Sequence, residues 1–482
     1  MNNFVGRTQE LSQLHDLMMK KTSSLITIQG RRRIGKSTLV RHFSVKSNIP
    51  CFEFQGLPPR PGQSNGDQLN EFAGRLAKYL GTPNIKFTEW MEAFEYLNLL
   101  CLKNAELKTK FVILLDEISW MGARDSDFAG HIKDAWDRLF SQHSNLILVI
   151  CGSVSSWIQK NILQNTAFVG RVTREFLLKE LSIAESYELL RISLKKMTSR
   201  EAAQILSITG GVPKYLEEFS PYKIVDVAVR ELCFSSSGFL FREFEAIFAD
   251  LFGKRNQMYK KVLKELIKKP LSSQELATKV GHPLNGDWSD LVYDLELAGF
   301  IRRDFTWNFK GEASRLSQLR VSDNYAKFYL KYIEPQKQKI IKLPPSPESG
   351  ITQINWPTAL GLQFENLILA NLATLIAVAR IPLQDIVQVG PYFQTSTKHK
   401  EGVQIDCLIQ CKKGHLHIFE VKSGSIIGVE IEKELARKSA LLKIPRGFSM
   451  RHYLVYSGEL SDALQESDFF DRKISFEEFF SV

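Results

Sequence analysis

The chain has 482 residues, of which 44% are hydrophobic and 24% charged, a composition that excludes a disordered, collagen-like or coiled-coil protein. At roughly 150 residues per domain, this length predicts about three folded units. The sequence shows no signal peptide and no membrane span, and its six cysteines form no C-x-x-C pair, so we expect a cytoplasmic protein without disulfides or structural zinc.

Residues 1–179 alternate short apolar runs with helical patterns. The runs lie at 25–28, 111–115 and 146–150 and show no polar alternation. Strands of this kind are buried on both faces, which is typical of a parallel sheet covered by helices. The pattern predicts an α/β core over 1–179, followed by a helical stretch over 180–252.

The segment after the first apolar run matches the phosphate-binding pattern G-x-x-x-x-G-K-[ST] and lies between a predicted strand and a predicted helix. Glycines at both ends allow the backbone N–H groups to face a phosphate, and the helix N-terminus adds its dipole. Lys36 is predicted to bridge the β- and γ-phosphates of ATP, and Ser37 to hold Mg²⁺. The predicted ATP contacts in this loop are Gly30, Arg33, Ile34, Gly35, Lys36, Ser37 and Thr38.

An acidic pair, Asp116 and Glu117, ends the second apolar run. Carboxylates at the end of a buried strand are costly unless a cation or hydrogen bonds compensate them. If this strand is adjacent to the strand before the phosphate loop, Asp116 supports Mg²⁺ through water and Glu117 orients the attacking water. The alternative is an acidic pair at the surface end of a strand.

Several short segments resemble the archaeal-type ATPase family, a group of AAA+/STAND-like P-loop ATPases that also occurs in bacteria. They are FVGR and EL near the start, GRRRIGKST in the loop, LLDEI after the second run, CGS after the third, and GGVPKYL further on. The resemblance implies a P-loop NTPase core at 1–179 and a helical lid at 180–252.

The same resemblance implies roles for residues outside the loop. Arg171 or Arg174 is a candidate arginine finger, with a surface arginine as the favoured alternative. The other implied nucleotide contacts are Val5, Gly6 and Arg7 at the adenine pocket, Ser153 at the γ-phosphate, and Pro213 with Lys214 in the lid.

Residues 253–335 are predicted to form three helices and a hairpin that turns near Lys310-Gly311, which is the order of a winged helix, a helix-turn-helix variant. The segment 254–342 has 18 basic and 10 acidic residues, so it holds +8 of the chain's net +10. This concentration of positive charge favours DNA as a partner. A solvated helix face in a Lys-rich protein is an equal alternative.

The predicted third helix of this region, 287–299, is acidic and contains no Lys or Arg. Acids in a recognition helix would repel DNA phosphates. We therefore expect contacts to the DNA backbone from the first helix and the hairpin, and no base readout by the third helix. The alternative is a structural role in which the region docks the ATPase onto the C-terminal unit.

A linker with three prolines is predicted at 336–352, followed by a separate unit at 353–482. In that unit, strand alternation and a three-residue loop at 412–414 predict a hairpin in which Asp406 lies across from Glu420. Lys422 lies on the same face. Facing carboxylates repel each other unless a cation lies between them.

The stretch before this hairpin is helical in pattern and almost free of charge. Glu365 is its one charged residue between Trp356 and Arg380. Because a lone buried carboxylate is expensive, Glu365 needs a partner, and the hairpin is the expected source of it.

This arrangement resembles the PD-(D/E)xK nuclease superfamily, a domain often carried at the C-terminus of archaeal-type ATPases. The resemblance implies a restriction-endonuclease-like α/β fold in which Glu365, Asp406 and Glu420 bind Mg²⁺, while Lys422 positions or activates water. Ile405 stands where the superfamily pattern has proline. The alternatives are a metal site that has lost activity and a cross-strand ion pair on a solvated face.

Together these predictions describe an ATP-binding and ATP-hydrolysing protein whose nucleotide state controls a DNA-associated, Mg²⁺-dependent nuclease-like domain. The alternative is a nucleotide-controlled regulatory or scaffold ATPase, a STAND-like switch that binds DNA or protein and carries an inactive nuclease fold. ATP and Mg²⁺ are the expected cofactors. DNA is the expected partner, with self-association or a protein partner as further options.

Overall fold

The computed structural model describes residues 4–58, 60–83, 85–106, 109–153, 156–342, 356–396, 401–442 and 444–481. The chain divides into two compact units, Met1–Lys179 and Glu180–Val482.

The first unit is built on a five-stranded parallel sheet, which confirms the predicted α/β core. The strand order is β2-β3-β4-β1-β5. The three apolar runs form β1, β3 and β4, whose residues are buried along the whole length of each strand. The strands are β1 (Ser24–Gly30), β2 (Cys51–Gln55), β3 (Phe111–Asp116), β4 (Leu146–Ser153) and β5 (Val172–Leu178).

The two edge strands, β2 and β5, were not among the predicted runs. Both mix polar residues with apolar ones because one side of an edge strand is solvated, and in β5 only Phe176 and Leu178 are buried. The helices of this unit are α1 (Thr8–Met18), α2 (Lys36–Lys46), α3 (Asn65–Leu80), α4 (Trp90–Ala105), α5 (Ile118–Met121), α6 (Phe128–Arg138) and α7 (Ser156–Ile158).

Two hydrophobic cores cover the two faces of this sheet. On one face, Trp90 and Phe94 pack with residues of α3 and α6. On the other face, Leu39 and Phe43 of α2 pack with Leu14 of α1. Because both faces are covered, the strand ends are the part of the sheet left open to a ligand.

The second unit begins with five helices, as the pattern at 180–252 predicts. Two of them begin at capping boxes, in which Ser182 pairs with Glu185 and Thr198 with Glu201. The helices are α8 (Ile183–Arg191), α9 (Ser199–Thr209), α10 (Pro213–Glu217), α11 (Val225–Cys233) and α12 (Phe239–Phe252). Their assignment as a lid stays a prediction.

Three helices and an antiparallel hairpin follow, in the predicted order. Gly311 has a φ of +87° at the turn, and Leu271 adds a bridge to Leu319 at the hairpin. The elements are α13 (Asn256–Lys268), α14 (Ser273–Val280), α15 (Gly286–Leu297), β6 (Ile301–Trp307) and β7 (Ala313–Val321). The name winged helix for this order stays a prediction.

The first part of the predicted linker at 336–352 is helical, and its role as a linker stays a prediction. The chain continues through α16 (Asn324–Phe328) and irregular helical turns into α17 (Lys337–Lys342). Lysines have good helix propensity, and the absence of apolar periodicity reflects exposure instead of a lack of helix. The three prolines that suggested a linker lie at 344–347, outside the described residues.

The C-terminal part contains a five-stranded mixed sheet of order β12-β11-β10-β9-β8. The pairs β8/β9 and β9/β10 are antiparallel, whereas β10/β11 and β11/β12 are parallel. The elements are α18 (Trp356–Ala370), α19 (Leu372–Val378), β8 (Ile386–Gln394), β9 (Val403–Cys411), β10 (His415–Ile427), α20 (Glu430–Leu441), β11 (Ser449–Leu460), α21 (Asp462–Glu466) and β12 (Arg472–Ser475).

The β6–β7 hairpin packs against this mixed sheet. The indole Nε1 of Trp307 donates to Gln410 Oε1 at 2.9 Å, and Gln410 Nε2 donates to the Phe309 carbonyl oxygen at 2.9 Å. Thr306 Oγ1 donates to the Phe393 carbonyl oxygen at 2.8 Å. All these side chains are buried, so the hairpin is part of the C-terminal core.

No single helix in the described ranges is long and apolar enough to cross a bilayer. The pair Ala359–Ala370 and Leu372–Val378 meets the length and composition test only together, and it is bent by 84°.

Candidate functional site

The loop between β1 and α2 is curled by residues in left-handed backbone conformation. Gly35 has a φ of +90° and Arg33 a φ of +72°. At Gly30, an added Cβ would lie 2.7 Å from the carbonyl oxygen of Leu178 in the neighbouring strand β5. Only glycine therefore fits at position 30. These two glycines are therefore required by geometry at both ends of the loop.

The polar side chains predicted for ATP and Mg²⁺ meet at the end of the sheet. Lys36 Nζ donates to the carbonyl oxygens of Gly30 at 3.1 Å and Arg31 at 3.3 Å. Ser37 Oγ donates to Asp116 Oδ2 at 2.5 Å. A hydroxyl and a carboxylate are the hard oxygen ligands that Mg²⁺ prefers, so this pair fits the ion in kind and position.

The expectation that the Asp116 strand is adjacent to β1 is wrong. β4 lies between β1 and β3. Asp116 still reaches Ser37 because all the strands are parallel and end at the same edge of the sheet, where α2 begins.

The intervening strand adds Ser153 to the site. Ser153 pairs in register with Gly30, and its Oγ lies 3.5 Å from Glu117 Oε2. Glu117 itself has a φ of +49°, a conformation that costs a non-glycine residue about 1 kcal/mol. The backbone therefore turns away from the direction of β3 at Glu117, the residue predicted to orient water. Its carboxylate lies beside Ser153, the residue predicted to sense the γ-phosphate.

The N-terminal segment is tied to the phosphate loop by Arg7. Its guanidinium is buried and donates to the Ile34 carbonyl oxygen at 3.2 Å and to the Lys179 carbonyl oxygen at 2.7 Å. Arg7 and Gly6 both have positive φ. This places Val5, Gly6 and Arg7 next to the loop, while their contact with adenine stays a prediction.

The two candidate arginine fingers are engaged in contacts inside the first unit. Arg171 forms a bidentate contact with Asp137, in which Nε donates to Oδ1 at 2.6 Å and Nη2 to Oδ2 at 2.8 Å. This contact lowers the pKa of the Asp137 carboxyl to about 2. Arg174 donates to the Gln13 carbonyl oxygen at 2.9 Å and lies 3.3 Å from Asp16. These contacts favour the alternative of structural surface arginines.

Pro213 and Lys214, the predicted lid contacts, lie in the second unit. Pro213 occupies the first position of α10, which its fixed φ and missing N–H suit. Lys214 pairs with Glu218 at 2.6 Å. Their role toward a nucleotide stays a prediction.

A second group of ionised side chains lies on the C-terminal sheet. The β9–β10 register runs from Cys411 opposite His415 to Cys407 opposite Phe419, which confirms the predicted pairing. Asp406 and Glu420 come directly after the last of these pairs along their strands, and Glu420 raises the pKa of Asp406. Asp406 Oδ2 accepts a hydrogen bond from the Val421 N–H at 2.9 Å.

The carboxylate of Glu420 is held by two ammonium groups. Its side chain is only 1% exposed. Lys422 Nζ lies 2.7 Å from Oε1, and Lys438 Nζ lies 3.0 and 2.9 Å from Oε1 and Oε2. Glu434 is 3.1 Å from Lys438 and 3.8 Å from Lys422, which links all four side chains.

Lys438 and Glu434 were not predicted as site residues. They lie on α20, one turn apart, in a spacing that ordinarily indicates an exposed helical ion pair. Only the packing of α20 over the strands brings Lys438 to a buried carboxylate. In the sequence, their only sign was a Glu/Lys pair in the helix that follows the strand of Glu420 and Lys422, which is weak evidence for a site residue.

Two further carboxyl groups, those of Glu365 and Glu420, lie close enough to Asp406 to affect its pKa. Burial raises its pKa well above the ordinary value, and Glu365 and Glu420 raise it further, while Lys438 opposes them. Although burial lowers the pKa of Lys438, Asp406 and Glu420 raise it to a net value above the ordinary one. Glu365 is thus near the hairpin, as predicted, and its charge raises the pKa of Asp406 and opposes the burial that lowers the pKa of Lys327.

In the described part of the chain, no three Asp, Glu, His or Cys side chains have the arrangement of a metal site. The carboxylates Glu365, Asp406 and Glu420 are suitable Mg²⁺ ligands by chemistry. At Glu420, however, the ammonium groups of Lys422 and Lys438 occupy both oxygens. The three predicted Mg²⁺ ligands therefore lie near one another, but the charge of Glu420 is neutralised by Lys422 and Lys438.

Part of the positive charge of the region at 254–342 is paired with carboxylates. Arg255 contacts Asp287, Lys260 contacts Glu245 of α12, Lys264 contacts Glu334, and Arg303 contacts Glu296. The acidic third helix therefore serves contacts within the region. Exposed cations without an ion pair to a described residue are Lys261, Lys269, Lys279, Arg302, Lys310, Arg315, Lys339 and Lys342.

Similarity to known proteins agrees with this geometry. A curated relative, an uncharacterized protein of Methanocaldococcus jannaschii, is 23% identical over 450 residues, which are 91% of this chain and 92% of the relative. The fold is similar to a Walker-type ATPase of Pyrococcus abyssi, with a TM-score of 0.52 and 18% identity over 68% of this chain and 96% of that one. The ORC2 protein of Aeropyrum pernix gives 0.42 and 12% over 71% and 98%.

Residues 4–219 match the family described as an ATPase domain predominantly from Archaea. The match contains the phosphate loop, Asp116 and Glu117, and Ser153. This part of the chain is therefore similar to archaeal ATPase domains, in agreement with its parallel sheet and phosphate loop.

Proposed function

We propose that the protein binds and hydrolyses ATP at the loop of residues 30–38, and that the nucleotide state controls the activity of the second unit. The observation that carries the first step is the Ser37–Asp116 contact at 2.5 Å beside the buried Lys36. A hydroxyl, a carboxylate and an ammonium group converge there at the N-terminus of α2, the combination that a metal-bound triphosphate requires.

Each residue has a distinct task in this reaction. Lys36 would exchange its bonds to the loop carbonyl oxygens for bonds to phosphate oxygens. Ser37 and Asp116 would hold Mg²⁺, which when bound neutralises phosphate charge. Glu117 would orient and deprotonate the attacking water, and Ser153 would donate to the γ-phosphate.

Replacing Lys36 by Ala tests this proposal. We expect ATP binding to weaken by at least about 100-fold, because a buried charge-assisted contact to phosphate is lost. Titration calorimetry of ATP with Mg²⁺ measures it. The matched control is Lys46→Ala, which removes an exposed lysine from the same helix and should bind as the wild type does. Equal binding by both variants and the wild type would reject this site.

A second function is favoured by the cluster around Asp406: a Mg²⁺-dependent nuclease-like activity on DNA. Burial, Glu365 and Glu420 raise the pKa of Asp406 well above its ordinary value, and strongly shifted pKa values are found more often at functional sites. Glu365, Asp406 and Glu420 would hold Mg²⁺, and Lys422 would position the water. The exposed cations Arg302, Lys310 and Arg315 would contact the DNA backbone. The remaining alternative is a STAND-like switch that binds DNA or protein without cutting.

Asp406→Asn separates activity from folding. The variant should lose cleavage of supercoiled and linear DNA in Mg²⁺ or Mn²⁺, yet unfold at a higher urea concentration than the wild type at pH 7. The amide oxygen can still accept the bond from Val421. Because the amide does not ionise, the variant is free of the cost of either burying a charge or holding a proton at this position. Cleavage by the variant equal to that of the wild type would reject Asp406 as part of a nuclease site, and cleavage by neither protein would leave the non-cutting switch.

The same variant predicts a pH dependence of stability. Because the pKa of Asp406 is raised in the folded state, the folded protein binds more protons than the unfolded chain above about pH 4. The contribution of Asp406 to stability therefore falls as the pH rises from there toward the raised pKa. The stability gained by Asp406→Asn should grow over the same interval in urea titrations.

A further inference from the structure

A cavity of about 770 Å³ lies in the second unit, away from the acidic cluster. It is bounded by the end of α19, the turn between β9 and β10, and strands β11 and β12. Its charged and polar lining consists of Arg380, Asp385, Lys412, Lys413, His415, His417, Arg451, Tyr453, Asp471 and Arg472. None of these residues belongs to the proposed nuclease site.

The strand register explains why this lining is separate from the acidic cluster. His417 pairs with Arg451, and Tyr453 with Arg472, so these side chains share one face of the sheet. Glu420 is an odd number of positions from His417, and alternation places it on the opposite face. The two sites therefore use different sides of the same strands.

The cavity has an excess of positive charge. Five basic side chains and two acidic ones line it, which leaves a net of three positive charges with histidines neutral. Burial lowers the pKa of His417 to about 4, and its Nδ1 lies 3.0 Å from Tyr453 OH, so this ring adds no charge at pH 7.

Most of these cations are available to a ligand. Arg380, Lys412 and Lys413 are exposed and form no ion pair with a described residue. Arg472 is partly used, since it donates to the Val378 carbonyl oxygen and pairs with Glu478. Asp471 accepts a bond from the His452 N–H at 2.7 Å. Among the described residues, neither Asp385 nor Asp471 forms an ion pair with the lysines at the turn.

We propose that this cavity binds a small molecule that carries two or more phosphate groups. Guanidinium and ammonium groups are the side chains that recognise phosphate in proteins. The volume lies within the range of about 300–1,000 Å³ typical of small-molecule sites. A bounded cavity with cations at its rim suits a compact ligand better than a nucleic acid strand, which needs an extended groove. This site is independent of the phosphate loop and of the proposed nuclease site.

The test uses the full chain with Lys36→Ala, so that the phosphate loop does not contribute. Inorganic pyrophosphate is titrated by calorimetry into this protein and into two derivatives. One derivative adds Lys412→Gln and Arg451→Gln, which remove two cavity charges. The other adds Lys269→Gln and Lys433→Gln, which remove two exposed charges elsewhere in the second unit. Circular dichroism melting curves establish that all three are folded.

We expect pyrophosphate binding to be at least about tenfold weaker in the cavity derivative and unchanged in the control derivative. Arg380→Gln alone should weaken it to a smaller extent. Absence of pyrophosphate binding, or equal binding by the two derivatives, would overturn the proposal. A single-stranded oligonucleotide of about 12 nucleotides serves as a second probe. If it binds through Lys412 and Arg451 while pyrophosphate does not, the cavity belongs to a nucleic acid contact and the small-molecule assignment is wrong.

Discussion

Replacing Glu117 by Gln should leave ATP bound and reduce its hydrolysis by about 100-fold or more. The carboxylate is proposed to orient and deprotonate the attacking water, and loss of such a group typically costs a factor of about 10²–10⁴. The amide retains the size of the side chain and a hydrogen-bonding oxygen, so the contact near Ser153 can persist. Phosphate release under saturating ATP measures turnover, and calorimetry measures binding.

The control for this variant is Glu175→Gln. Glu175 is an exposed carboxylate of β5 in the same unit, so its loss changes the net charge equally without touching the site. Its turnover should equal that of the wild type. If Glu117→Gln hydrolyses ATP at the rate of Glu175→Gln, Glu117 does not act on the water, although ATP binding by Lys36 and Ser37 would remain a separate question.

Replacing Lys438 by Met should lower the free energy of unfolding by about 2–3 kcal/mol. Glu420 has only 1% of its side chain exposed, and removing one partner of a buried ion pair typically costs about 3–5 kcal/mol. The loss is smaller here because Lys422 still contacts Oε1. Met keeps the length and apolar stem of the lysine, so packing is largely preserved.

Lys433→Met is the matched control for this second effect. It lies on the same helix but is exposed, and surface substitutions ordinarily change stability by less than about 0.5 kcal/mol. Urea denaturation at pH 7 compares the two variants with the wild type. Equal stability of Lys438→Met and Lys433→Met would mean that Glu420 does not depend on Lys438. Together with the urea titration of Asp406→Asn, these measurements distinguish the unfavourable contribution of the Asp406 carboxyl to the free energy of unfolding from the favourable contribution of the Lys438 ammonium.

Local patterns predicted much of what is found at both sites. The phosphate loop was recognisable because its glycines and lysine lie within nine consecutive residues, Gly30 to Thr38. The register that pairs Cys411 with His415 and Cys407 with Phe419 followed from the period of a strand and the length of one turn. In both cases, the residues that decide the geometry are close in sequence.

Other features were missed because their cause lies in distant packing. The position of β4 between β1 and β3 depends on how the connecting helices cross the sheet. The acidity of the third helix suggested a conflict with DNA, but Asp287 and Glu296 pair with Arg255 and Arg303. Composition alone does not distinguish a charge that faces solvent from one that faces an oppositely charged neighbour.

The sequence by itself determined which parts of this chain become buried parallel strands, where the phosphate-loop pattern lies, and that Cys411 and Cys407 pair with His415 and Phe419 across two strands. These are properties of a short window and of backbone periodicity. Only the tertiary structure decided that Lys438 neutralises Glu420, that the hairpin of Trp307 joins the C-terminal core, and that basic residues from four separate segments line one cavity. Such contacts join residues far apart in the chain, and their free energy depends on burial, which no local pattern contains.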